Sequence, residues 1–317
     1  MVIQGINTGD ISIIIQGAVD PVNTPLCLNS IRKQLPGAEI ILSTWQGTDT
    51  ASLNCDTVLY CEDPGGTRDK QSHSFVNNTL RQLVSTKAGV AKAAGKYILK
   101  MRSDLILKSN RFLSHFEDFP MRRGQYALFR HRVIASSFFS KKFCSSRTES
   151  QPLPFHLSDW FIFGLAEDVS LLYASPLPDE PENAWYLTLH PYPGVKTNLL
   201  HCSHRYAPEQ YIFFQACKNR FPQIQFEHYL DYDRENILWS EQIIANNCII
   251  LNPSQFRFIC GKKKTGTDYY KRWTKHESLI PKTLKMGLYT YRTFCKDYKK
   301  YCLEAGDGGD AYETGAG

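Results

Sequence analysis

The sequence predicts an α/β fold with one mixed, mostly parallel open sheet and flanking helices. Short continuous apolar runs recur and end in Gly or polar residues, as strands buried on both faces do. They alternate with segments of helical spacing, the order that builds a parallel sheet. The 317 residues, 42% of them hydrophobic, suffice for one such domain with elaborations or for two small ones.

Ser12–Gly17 is the first apolar run and ends in Gly. A helix follows: Thr24 is its expected cap, Pro25 suits its first position, and Leu28, Ile31 and Leu35 keep its spacing until Pro36-Gly37. Glu39–Trp45 and Thr57–Cys61 read as the next two strands. Residues 62–74 are polar and Gly-rich, hence a loop. Residues 77–94 form a long helix through Leu80, Leu83, Val84, Ala88 and Ala91, stopped by Gly95. Tyr97–Leu105 is a strand running into a polar turn. Beyond it, Phe155–Tyr173 reads as strand then helix, Pro208–Asn219 as a helix opened by Pro, and Trp239–Leu251 as a helix leading into a strand. Residues 1–260 thus make the α/β domain. From Gly261 a stretch rich in Lys, Arg, Tyr and Trp is expected to be helical through residue 303. Residues 304–317, rich in Gly, Asp and Ala, are an expected disordered tail or linker.

A net charge of +6 is too weak to indicate nucleic acid, and no such partner is expected. The ten cysteines show no C-x-x-C pair and no zinc spacing, so they read as reduced thiols of a cytoplasmic protein. Met1–Asp10 lacks a signal-peptide pattern, and no apolar run reaches the roughly 20 residues of a membrane span. The absence of G-x-G-x-x-G after the first strand disfavours a dinucleotide dehydrogenase.

Ligands of open α/β sheets sit at the carboxyl ends of the strands, near the switch in strand order. Gln16 and Gly17 follow the first strand, Thr44 and Trp45 close the second, and Asp63 follows the third. A Gly there lets backbone approach a ligand, and an indole can border it. The sharpest unit runs from Arg81 to Leu105. Arg81, Lys100 and Arg102 are cations suited to phosphates. Asp104, at a strand exit, suits a divalent cation bridging a diphosphate. The plainer reading is a structural Arg102–Asp104 ion pair.

Several segments in order resemble a known family. They are Ile14-Ile15-Gln16-Gly17, Ile40–Trp45, Arg81-Gln82 with Ser85-Thr86, Lys100–Asp104, His156–Phe161, Pro208–Tyr211 and Asn246-Asn247. Over roughly residues 11 to 255 they look like the WavE lipopolysaccharide-synthesis family of bacterial glycosyltransferases. The resemblance implies a GT-A-like, Rossmann-type fold and a nucleotide-sugar donor. It further implies a lipid-linked or oligosaccharide acceptor in lipopolysaccharide or surface polysaccharide synthesis. Many GT-A enzymes carry Asp-x-Asp where this chain has Arg102-Ser103-Asp104. Asp104 is the candidate ligand for Mg²⁺ or Mn²⁺. A cation in place of the first carboxylate lowers metal affinity, and Arg102 can itself neutralise a diphosphate.

Sugar transfer also needs a base for the acceptor hydroxyl if configuration inverts. Glu209 is one candidate, just behind Pro208 where the resemblance places a base and where the helix dipole stabilises a carboxylate. Asp159 is the other. Their plain readings are a helix cap and a buried structural acid. His156, Trp160 and His204 are candidates on the acceptor side, Trp160 by stacking on a sugar ring. His201-x-x-His204 has no third metal ligand nearby. The basic, aromatic segment 262–302 resembles a surface that docks on anionic lipid, which would place the protein at the inner face of the cytoplasmic membrane; the plainer reading is a solvated helix pair. Two rival functions remain. A sugar nucleotidyltransferase would carry a cation right after the first strand, which Gln16–Asp20 lacks. A non-catalytic carbohydrate-binding protein would not need Arg81, Arg102 and Asp104.

Overall fold

The computed structural model describes residues 1–68, 76–145, 150–179, 182–190, 204–229, 231–262, 268–304 and 311–313. Seven strands build the central sheet: β1 (Ile11–Gln16), β2 (Glu39–Trp45), β3 (Thr57–Cys61), β4 (Tyr97–Arg102), β5 (Val133–Ser136), β6 (Phe161–Leu165) and β7 (Cys248–Leu251). Their order is β3-β2-β1-β4-β6-β5-β7. β6 runs antiparallel to both neighbours, and the other pairings are parallel. The expected mixed, mostly parallel sheet is present.

The central strands are apolar because helices or loops cover both faces. Ile13, Ile14, Ile15, Ile40, Ile41, Leu42, Leu99 and Met101 are fully buried. The main helices are α1 (Asn23–Gln34), α2 (Thr79–Lys92), α3 (Ala166–Leu172), α4 (Pro208–Arg220) and α5 (Arg234–Asn247). α2 packs across β1, β2 and β3. Gly89 permits this approach, since a Cβ there would stand 2.4 Å from Ile14 Cγ2.

Two local expectations change. Thr24 is not the cap of α1. Asp20 accepts the N–H groups of Val22 (2.9 Å) and Asn23 (2.6 Å), while Thr24 Oγ1 accepts from Asp20 N (2.9 Å). The fourth strand stops at Arg102 instead of Leu105. The chain turns at Ser103-Asp104, and Leu105–Leu107 leaves the sheet to pair with Phe258–Cys260.

The basic C-terminal stretch holds α6 (Tyr269–Lys275) and α7 (Tyr291–Tyr298), the latter running on into Lys299–Leu303. Phe294, Tyr298, Tyr301 and Cys302 are buried against the main core. Arg132, almost wholly buried, fastens this end. It donates to Phe119 O (2.7 Å), Met121 O (2.7 Å), Ala245 O and Cys302 Sγ (3.6 Å). A buried guanidinium with this many acceptors meets the requirement that interior charge be hydrogen-bonded. Of the expected tail, 305–310 and 314–317 lie outside the described residues; Ala311–Glu313 pairs antiparallel with Met121–Arg123. The described cysteines are free thiols. No helix among the described residues is long and apolar enough to cross a membrane.

Candidate functional site

The chain winds outward from β1 to β2 and β3, then returns to the other side of β1 as β4. The loops leaving β1 and β4 therefore diverge, and a crevice opens between their carboxyl ends. A cleft of about 930 Å³ occupies this place. It is lined by Gln16 and Gly17 after β1, Trp45 at the end of β2, Asp63 after β3, Arg81 on α2, and Arg102 and Asp104 after β4. Seven of the expected donor-side residues thus come together. Thr44 and Lys100, expected beside them, are buried and do not line the cleft.

Gly17 has φ +108°, open to glycine and strained for other residues. Gln16 Oε1 accepts from Ser85 Oγ (3.1 Å), which fixes the amide against α2. Ser103 Oγ donates to Ala18 O (2.7 Å) and ties together the loops of β1 and β4.

Two guanidinium–carboxylate pairs mark the walls. Arg81 donates from Nε and Nη2 to the two oxygens of Asp63, at 2.7 Å each. Arg102 donates from Nε (2.9 Å) and Nη2 (2.6 Å) to the two oxygens of Asp104. The Arg102 guanidinium also sits over the Trp160 ring, 4.4 Å from its centroid. The hydrogen bonds from Arg81 hold Asp63 below the usual carboxylate range. Burial pushes Asp104 up, but the charge and hydrogen bonds of Arg102 outweigh it and its pKa falls.

This donor set does not fit Mg²⁺ or Mn²⁺. Hard cations need several free oxygen ligands, and Arg102 already takes both oxygens of Asp104. Lys262 adds a second positive charge near it. Among the described residues, no three His, Cys, Asp or Glu side chains are grouped to hold a metal ion.

A second cluster lies on the Arg102 face of β4, because side chains two apart in a strand share a face. Lys100 is fully buried. Its Nζ is 3.5 Å from Asp159 Oδ2, and it also donates to the Asp159 carbonyl. Burial lowers the Lys100 pKa. His156 Nε2 lies 4.0 Å from Glu209 Oε2. Burial holds His156 down at about 3, so its imidazole is neutral. Burial, followed by the charge of Asp159, pushes Glu209 up to about 7. Glu209 sits in the first turn of α4, with its side chain 17% exposed, and like His156 and Asp159 it does not line the cleft itself. The capping contact there comes from Gln210, whose Oε1 accepts from Ala207 N (3.3 Å).

Trp160 is packed among Phe138, Phe139 and Tyr270, with Arg102 over its ring, and presents no open sugar platform. His204 is buried with Nδ1 3.0 Å from Ala184 O, and it does not line the cleft. His201 lies outside the described residues. Asp20, Asn78, Gln82, Asp268 and Lys271 line the cleft without having been expected there. Asp20 carried a signal, an Asp just ahead of a helix start. Lys271 carried none, since it reaches the cleft from a distant helix.

A family model described as WavE lipopolysaccharide synthesis matches residues 11–310, nearly the whole chain. No curated protein matches the chain.

Proposed function

The chain belongs to the WavE lipopolysaccharide synthesis family, and on that premise we propose that it is a glycosyltransferase with a GT-A-type domain. It transfers a sugar from a nucleotide-sugar donor to a lipopolysaccharide or surface polysaccharide acceptor. The observation that carries this reading is the cleft at the β1/β4 switch point, with two carboxylate-held arginines in its walls. Such a site suits an anionic diphosphate, whose negative charge grows as the sugar leaves. Trp45 offers a ring to the donor, and Gly17 lets its backbone come close.

Glu209 takes the acceptor hydroxyl's proton. A carboxylate with a pKa of about 7 is a stronger base than an ordinary one and is still largely ionised just above neutrality. Asp159 is less suited, because Lys100 holds it in the interior. The neutral His156 beside Glu209 leaves that carboxylate unpaired by charge on this side.

The test is release of nucleotide from a panel of nucleotide sugars, with and without Mn²⁺. Release from one donor, lost in Arg102→Gln, supports the reading. No release, together with no thermal stabilisation by UDP, GDP or CMP, removes it and leaves a non-catalytic carbohydrate-binding protein to be tested.

A further inference from the structure

We infer that the donor diphosphate is held in this cleft without a divalent cation, by Arg102 and Arg81, with Asp104 and Asp63 as positioning residues that aim the guanidiniums. The inference rests on the nucleotide-sugar reading and concerns how that site works.

A guanidinium carries its N–H groups in a rigid planar fork, with two edges able to grip a carboxylate or phosphate. Asp104 takes one edge of Arg102, Nε and Nη2. Trp160 covers a face. Together they fix the plane of the group and leave its outer edge, Nη1 with the second Nη2 hydrogen. Among the described residues, Asp104 is the only hydrogen-bond partner of the Arg102 side chain. The side chain keeps 19% exposure in the cleft wall. Arg81 repeats the arrangement, with Asp63 on its Nε–Nη2 edge and, among the described residues, only a long contact, 3.3 Å to Asn78 Oδ1, from Nη1. The outer edge is the one that matches two phosphate oxygens.

A divalent ion at Asp104 would have to share its oxygens with the Arg102 guanidinium and sit beside Lys262 as well. It would gain one carboxylate and meet two like charges. A diphosphate on the outer edges of Arg102 and Arg81 gains both guanidiniums, and the cleft lining beyond the two pairs, Lys262 and Lys271 against Asp20 and Asp268, is balanced in charge.

Titration calorimetry of UDP, GDP and CMP into the purified protein, in EDTA and then in Mn²⁺, tests this. The expected result is binding of UDP or GDP with a Kd that agrees within about twofold in the two buffers, and much weaker binding of CMP, which has no diphosphate; binding of CMP alone overturns the inference. Arg102→Lys keeps the charge and loses the fork, and should weaken that diphosphate about tenfold or more in EDTA. Arg81→Lys, at the more exposed pair, should weaken it in the same direction, and serves if an Arg102 variant unfolds. Asp104→Asn should weaken binding only several-fold, and equally in both buffers, as expected for a residue that aims its neighbour. Binding that appears only with Mn²⁺, or an Asp104→Asn effect confined to the Mn²⁺ buffer, overturns the inference while leaving the nucleotide site standing. Binding of none of the three in either buffer overturns the nucleotide-sugar reading itself.

Discussion

Lys100, without solvent exposure, stands 3.5 Å from the carboxylate of Asp159, which lies just ahead of the one reversed strand of the sheet. Among the described residues no other group pairs with the oxygens of Asp159, so the lysine is what keeps that charge tolerable inside. Removing one member of a buried pair strands the other, at a cost of about 3–5 kcal/mol. Lys100→Met is therefore expected to lower unfolding stability by that order in a urea titration. Asp159→Asn added to it should recover part of the loss. If the two losses simply add, the pair is not coupled.

The acceptor base sets a pH dependence. Glu209 must be ionised to accept a proton, so kcat should rise as pH passes through about 7 and level off above it. Glu209→Gln should abolish transfer while donor binding survives. A variant that keeps turnover and the same pH limb would remove Glu209 from the mechanism.

His156 and Glu209 should oppose one another in stability. The folded pKa of His156, about 3, is below its unfolded value, so its contribution is present above about 6.5 and is lost as pH falls below it. The folded pKa of Glu209, about 7, is above its unfolded value, so its contribution is present below about 4.5 and is lost as pH rises through 7. Between those limits each group tilts stability by at most about 1.4 kcal/mol per pH unit, with opposite signs. In the wild type these two contributions should nearly cancel there. His156→Gln should become less stable as pH rises from 4.5 to 7, and Glu209→Gln more stable as pH rises to 6.5. Parallel profiles for all three proteins would refute the assignment.

Gly89 sets the distance between α2 and the sheet. Gly89→Ala places a methyl group 2.4 Å from Ile14 Cγ2, and the strain of overpacking should cost about 1–3 kcal/mol. Because α2 also carries Arg81, weaker nucleotide binding should accompany the lower melting temperature. Unchanged stability would mean that the helix shifts freely.

The half of the sheet that builds the cleft was legible because each strand there is a continuous apolar run. Glu39–Trp45 and Thr57–Cys61 fall where their hydrophobic pattern places them. Arg102 and Asp104 were legible for a different reason, as charges placed where a buried strand must exit. Val133–Ser136 was not legible: four residues, whose neighbour β7 comes from about 115 positions later, carry no local period. Lys100 read as a phosphate-binding cation and Arg132 carried no signal; only the carbonyls and the carboxylate that enclose them reveal their buried places. Lys271 and Asp268 join the cleft through the ribbon of Leu105–Leu107 with Phe258–Cys260 and the helix packed on it, a contact without a sequence signature.

The reach of Arg132 bears on how the chain is made. The cleft's inner wall, from β1 to Asp104, precedes Arg132 in the chain, and its strands pair largely with one another. Arg132 emerges soon after, yet it binds Cys302, 170 positions further on, and carbonyls near residue 245. Until those residues emerge, 113 positions later at the earliest of them, that guanidinium must stay in water, and the β5 edge that it braces must wait unpaired for β7. A nascent chain therefore carries the inner wall of the cleft early and an open sheet edge for a long interval. That makes the edge, and not the inner wall of the cleft, the part of the growing chain most open to wrong pairing.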